Sequence, residues 1–393
     1  MQSSNNYSHS ASIKHATQRI VQRFRGHRLM TLVLTFAMIA ALAIQLVGAT
    51  GTAAAAPMFM TNGSWTLTGN MINGRQGHTA TRLADGRVLV AGGIGSNTAE
   101  IFNPATGTWS SAGTMNYGHE YHIAALLNDG RVLVAGAGRE MWAQHANAEI
   151  YNPATNSWST TGNMVYARSV AGAAVLADGR VLVAGGIPIN EWNGRTAEIY
   201  NPATGQWTLT GNINSLRYFP TATRLNDGRV LLTGGRMDVW GGPGTNSAEV
   251  YNPGTNQWTA VATMNTGRVA HTATLLPNGQ VLIAGAADPF ATATSQLFNP
   301  ANNTWSAPVS LSQSRAYHGA ALLNNGRVLV TGGLSVLTAE VYDPATNAWS
   351  TTASMNRTHQ HLTATALANG QVLVAGSANG NPSTATDLFT VLP

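Results

Sequence analysis

The nine residues DGRVLVAGG at Asp85–Gly93 return unchanged at Asp178–Gly186, and edited copies occur five more times along the 393-residue chain. Each copy opens on a turn pair: Asp85-Gly86, Asp129-Gly130, Asp178-Gly179, Asp227-Gly228, Asn278-Gly279, Asn325-Gly326 and Asn369-Gly370. Asp-Gly or Asn-Gly between apolar runs marks a hairpin, and a two-residue type I′ turn is the expected form. A small-residue strand such as GHTATRL (Gly77–Leu83) precedes the turn. The strand after it, RVLVAGG, is apolar on both faces and so is expected to be buried on both.

A third strand of the type AEIYNP follows a loop of varying length, and a fourth begins at a tryptophan. Phe102, Tyr151, Tyr200, Tyr251, Phe298 and Tyr342 stand seven residues before Trp109, Trp158, Trp207, Trp258, Trp305 and Trp349. The turn glycines recur every 44 to 51 residues, and four short strands in such a period describe one blade of a propeller. The last copy lacks its tryptophan strand, and the missing piece stands at the other end as GSWTLTGNM (Gly63–Met71). The sequence therefore predicts an all-β, seven-bladed β-propeller over residues 63–393, closed by an N-terminal strand that removes an open sheet edge.

Before the propeller, residues 1–28 form a basic segment carrying Lys14, Arg19, Arg23, Arg25 and Arg28. Residues 29–49 are an apolar run, and residues 50–62 a small-residue linker or cleavage region. This pattern is expected of a signal peptide or a transmembrane helix. The propeller would then be secreted, or membrane-anchored through the uncleaved apolar segment, outside the cytoplasm in either case. The five N-terminal cations account for the whole net charge of +5, leaving no basic footprint for nucleic acid on the rest of the chain. With no cysteine, closure and core packing must supply the stability.

The glycine pair ending strand two, the Tyr–Trp pair of strands three and four, and the crossover pattern M…R..H resemble kelch repeats, over about residues 63–393. The resemblance implies a frame role for the ring Arg75, His119, Arg168, Arg217, Arg268, Arg315 and His359, although cations converging on a channel mouth would also attract an anionic group. It implies a repeat role for His78, His122, His271 and His318, and Glu100, Glu149, Glu198, Glu249 and Glu340 read as scaffold. The segment Tyr317-His318 in SRAYHGAALL resembles the copper-binding Tyr-His segment of galactose oxidase and glyoxal oxidases. His122, Tyr317 and His318 are thus the metal candidates. The cysteine of their cross-linked radical cofactor has no counterpart here, so no cofactor is expected, and radical oxidation least of all.

Strand direction puts the two–three loops and the four–one crossovers on one face. The two–three loops have 5, 10, 10, 12, 8, 5 and 8 residues by alignment of the copies, and function favours variable loops on a rigid frame. Three tryptophans lie outside the blade pattern: Trp142, Trp192 and Trp240, in the long loops of blades two to four. With His119, Tyr121, Arg168, Arg217 and Arg236 they form the expected ligand-binding set, suited to a glycan or an extracellular peptide. Packing of each tryptophan on the next loop, holding it down, is the alternative for that trio. A metal-assisted enzyme or sugar isomerase on the same face is the alternative function.

Overall fold

The computed structural model describes residues 63–392 apart from 138–144, 189–193, 239–241, 287–292, 335 and 378–380. The chain divides into Met1–Met58 and Phe59–Pro393, and every described residue lies in the second unit. The described residues of that unit form an all-β propeller of seven antiparallel blades around one axis, with a two-stranded pair, Arg168–Ser169 and Ile187–Pro188, beside them. In blade one the strands are Thr79–Arg82, Val88–Ala91, Thr98–Asn103 and Thr108–Thr114, numbered outward from the axis. Blade seven takes Thr363–Ala366, Val372–Ala375 and Thr386–Val391 from the end of the chain and Gly63–Leu67 from its beginning. Gly63 pairs with Val391 and Leu67 with Asp387, so the closing strand is in register along its length. The innermost strand of each blade touches those of both neighbours, and Thr363–Ala366 meets Thr79–Arg82 to complete the ring.

Strand two is buried on both faces in every blade because each sheet is sandwiched between two others. Leu89 and Ala91 of blade one, for instance, pack on Val132, Val134 and Tyr151 of blade two. The strand-four tryptophans fasten the outer rim. Trp109 Nε1 donates to the Gly69 carbonyl (2.7 Å), Trp158 to Ala112 (2.8 Å) and Trp65 to Ala353 (2.8 Å), each in the preceding blade. Tyr–Trp centroids such as Tyr200–Trp207, 5.1 Å apart, hold strands three and four together.

The hairpins between strands one and two differ from the expected type I′ turn. Only the glycine takes positive φ (Gly86, 87°), while Asp85 does not. Gly86 N–H donates to the Leu83 carbonyl and Leu83 N–H to that of Arg87, which is a three-residue loop ending in a bulge. The aspartate selects this form, since Asp85 Oδ1 accepts the Arg87 N–H (3.0 Å) and Oδ2 the Arg87 Nε–H (2.7 Å). Among the described residues there is no α-helix, and none long and apolar enough to cross a membrane.

Candidate functional site at the mouth of the channel

Three positions of each crossover, those of Arg75, Gly77 and His78 in blade one, build the mouth, and the first belongs to the scaffold. Arg75 is fully buried; its Nη1 donates to the Gly92 (2.7 Å) and Thr98 (2.8 Å) carbonyls, and its Nη2 to Glu100 Oε1 (2.8 Å). Glu100 also accepts the crossover N–H groups of Ile72 and Asn73. Arg168 with Glu198, Arg217 with Glu249 and Arg315 with Glu340 repeat this cage. In blades two and seven a histidine replaces the arginine. His119 sets Nδ1 2.9 Å from the Gly136 carbonyl and Nε2 3.3 Å from Glu149, and His359 sits likewise between Gly376 and Asp387. Arg268 departs from the pattern: Gln296 stands where the carboxylate would be, and burial lowers the guanidinium to about 10.

The third position holds the repeat histidines. His78, His122, His271 and His318 each reach a first-strand threonine of the preceding blade: Thr363, Thr79, Thr221 and Thr272, at 2.8 to 3.2 Å. Each ring packs on a glycine of that blade, so that a Cβ on Gly285 would lie 2.7 Å from His318 Cε1. Burial drives the imidazoles of His78, His271 and His318 down to about 3 and His122 well below its ordinary value, so all four stay neutral.

Between these two columns lies a collar: Gly77, Tyr121, Val170, Phe219, Ala270, Tyr317 and His361. All seven have left-handed backbone, with φ between 49° and 66°. That conformation is uncommon outside glycine, and worst for a β-branched residue such as Val170. Its cause is a belt of hydrogen bonds around the axis. Tyr121 N–H donates to the Gly77 carbonyl, Val170 to Tyr121, Phe219 to Val170, Tyr317 to Ala270 and His361 to Tyr317, at 2.8 to 3.1 Å. Strain held by a surrounding frame is a mark of functional positions.

The collar side chains line a cavity of about 270 Å³ to which all seven blades contribute. Tyr121 contacts His361 (5.9 Å between centroids), His361 contacts Tyr317 (4.1 Å) and Tyr317 contacts Phe219 (5.8 Å). These contacts span the small residues Gly77 and Ala270, and Val170 packs with Tyr121 and Phe219 on the remaining side. Among the described residues no carboxylate, lysine or arginine lines the cavity. Burial lowers His361 to about 4 and raises Tyr121 to about 12. Arg236 stands at the edge, its guanidinium carbon 5.4 Å from the Phe219 centroid.

Of the residues singled out from sequence, Tyr121 and Tyr317 line the mouth, as do His78, His122, His271 and His318, and Arg236 flanks it. Arg168, Arg217 and His119 do not: they are buried struts whose donors the scaffold consumes, because the carbonyls ending strand two and the strand-three carboxylates lie closer than the channel. Trp142, Trp192 and Trp240 lie outside the described residues. Val170, Phe219 and His361 were not singled out, although their column stands two residues after the cage arginine in every blade.

The residues present do not fit a copper centre of the Tyr-His kind. Tyr317 and His318 both line the cavity, but the Tyr317 ring stacks on His361 while His318 gives its Nε2 to Thr272 and packs on Gly285. His122 gives its Nε2 to Thr79 in the same way. Among the described residues no three His, Cys, Asp or Glu side chains are grouped to hold a metal ion.

Fold and repeat together define a seven-bladed propeller of the kelch type. The kelch motif matches residues 78–116 and 220–265. Among solved structures, a fungal alcohol oxidase of the AA5 family, in complex with copper, is similar with a TM-score of 0.68 and 18% identity, over 84% of this chain and 76% of that one. The protein YjhT is similar with a TM-score of 0.59 and 17% identity, over 72% of this chain and 99% of that one. At these identities the likeness is one of fold. No curated protein sequence matches the chain.

Proposed function

We propose that this propeller is an exported binding protein that takes a ring-shaped group of a glycan or extracellular peptide at the channel mouth. The collar carries this reading. Tyr121, Phe219, Tyr317 and His361 present rings to a cavity whose described lining carries no carboxylate, lysine or arginine, and the histidines beside them each give Nε2 to a threonine of the frame. Aromatic walls with a few polar tips suit sugar rings and aromatic side chains. At about 270 Å³ the cavity is near the lower end of small-molecule pockets, about 300–1,000 Å³, so one ring enters and the rest of the ligand stays outside. The long loops of blades two to four, with Trp142, Trp192 and Trp240, would receive that remainder. Export rests on the basic segment and apolar run of residues 1–49, which would leave the propeller secreted or anchored.

The test is a glycan and peptide screen followed by Tyr317→Ala and Phe219→Ala on any hit. Loss of an anchor in a pocket typically costs about 2 kcal/mol or more, roughly thirtyfold in affinity. Unchanged affinity in both variants, with the fold intact, would remove the collar as the site.

A further inference from the structure

Arg75, Arg168, Arg217, Arg268 and Arg315, all on the crossover face, are buried and bonded to carbonyls, four of them also to a carboxylate. Arg236 is held differently. Its backbone is fixed by paired hydrogen bonds with Tyr218, each 2.9 Å, two residues beyond Gly234 of blade four. Its side chain is half-buried, extends over Phe219, and has no ion-pair partner among the described residues. The buried Nε–H has no acceptor, as in Arg168 and Arg268, but those two spend their Nη groups on the frame. Asp238, two residues on, accepts the Gly242 N–H (2.8 Å). A donor shut away from water without a partner is costly, and here it stands at the edge of an aromatic cavity whose described lining carries no charged side chain.

We infer that the ligand is a small ring bearing a carboxylate, with the ring inside the collar and the carboxylate on the Arg236 guanidinium. This inference rests on the reading of the collar as the binding site. A carboxylate matches the planar fork of a guanidinium with two oxygens. A phosphate dianion would need a second cation, and among the described residues none lines the cavity. A sugar acid and an aromatic acid both supply such a ring, and the two share this chemistry.

The test uses two matched pairs of probes on the full chain, glucuronate with glucose and benzoate with benzamide, titrated by ligand-observed NMR. In the native protein the acid of at least one pair should bind about tenfold more tightly than its neutral partner, as for a hydrogen bond to a charged group. The pair that shows the preference names the source of the ring. Arg236→Gln should bring the ratio for that pair close to one, and Arg236→Lys should restore part of it. Neutral and acid probes binding alike in the native protein, with Tyr317→Ala weakening both, would leave the collar standing and overturn the carboxylate. Failure of all four probes to bind would overturn both readings.

Discussion

The phenol ring of Tyr121 lies over Gly77 so closely that a Cβ on the glycine would sit 3.1 Å from its Cζ. Gly77 also has φ of 66°, so both the backbone and the ring above it require glycine. Gly77→Ala should therefore destabilise the fold by about 1–2 kcal/mol and displace Tyr121 from His361. Ala270→Gly, relieving a φ of 50° at the equivalent place, should cost nothing measurable. Denaturant midpoints of the two variants check the contrast, and equal losses would deny that the collar backbone is strained.

The cage arginines differ in what their removal leaves behind. Arg315→Met would strand Glu340, a buried carboxylate that takes both Nε and Nη2 of Arg315, and breaking such a pair costs about 3–5 kcal/mol. Arg268→Met strands no carboxylate, because Gln296 Oε1 is bonded to the Asn265 N–H (3.0 Å). It should cost less than half as much. Matched urea titrations decide the point, and similar losses would show that the carbonyl bonds, common to both, dominate.

The repeat histidines set an acid limit. In the unfolded chain they titrate near 6.5, whereas His78, His271 and His318 are held down to about 3. Below pH 6.5 the unfolded state binds protons that the folded state refuses, so stability is full above 6.5 and falls as the pH drops toward 3. At pH 4.5 the loss is roughly 2–3 kcal/mol per histidine, large against a total of about 5–15. Urea midpoints at pH 7.5 and 4.5 should show it. His271→Gln should flatten the slope, and a pH-independent midpoint would refute neutral burial.

Closure depends on the first strand. Deleting residues 63–70 would remove the pairing of Gly63–Leu67 with Asp387–Val391 and expose the fully buried Phe389, on which Trp65 packs at 5.1 Å. The loss should exceed the roughly 3–5 kcal/mol of a single large core truncation. A thermal transition matching that of the intact propeller would mean that the other six blades close without it.

Copper gives the last test. Supplied with Cu(II), the protein should release no peroxide from galactose, glyoxal or a primary alcohol, since His318 Nε2 is bonded to Thr272, no metal-holding group is assembled among the described residues, and cysteine is absent. Turnover of any of the three would require a ligand set other than the one described.

The blades were legible in the sequence because their determinants are chemical and recur. The turn glycines, the strand-two Val-Leu-Val-Ala pattern and the Tyr–Trp spacing each answer a packing need repeated seven times. The cage and the histidine staples were visible as columns, though which way Arg168 and Arg217 face became clear only from the carbonyls around them. The collar was hidden for the opposite reason. Gly77, Val170, Phe219 and His361 share no chemistry, only a backbone angle, and a column defined by φ leaves no common residue type to read. Its trace was an irregular position immediately before the histidine column.

Gly63 and Val391 face each other at the ends of two outer strands of blade seven, on the side of the strand three–four turns. The collar opens on the opposite side. A propeller tethered to a solid support through either end of this unit would hold every mouth facing the bulk solution. Ligand capture would then be independent of which terminus carries the tether, and a circularly permuted chain opened at the three–four turn of any other blade would keep the same orientation.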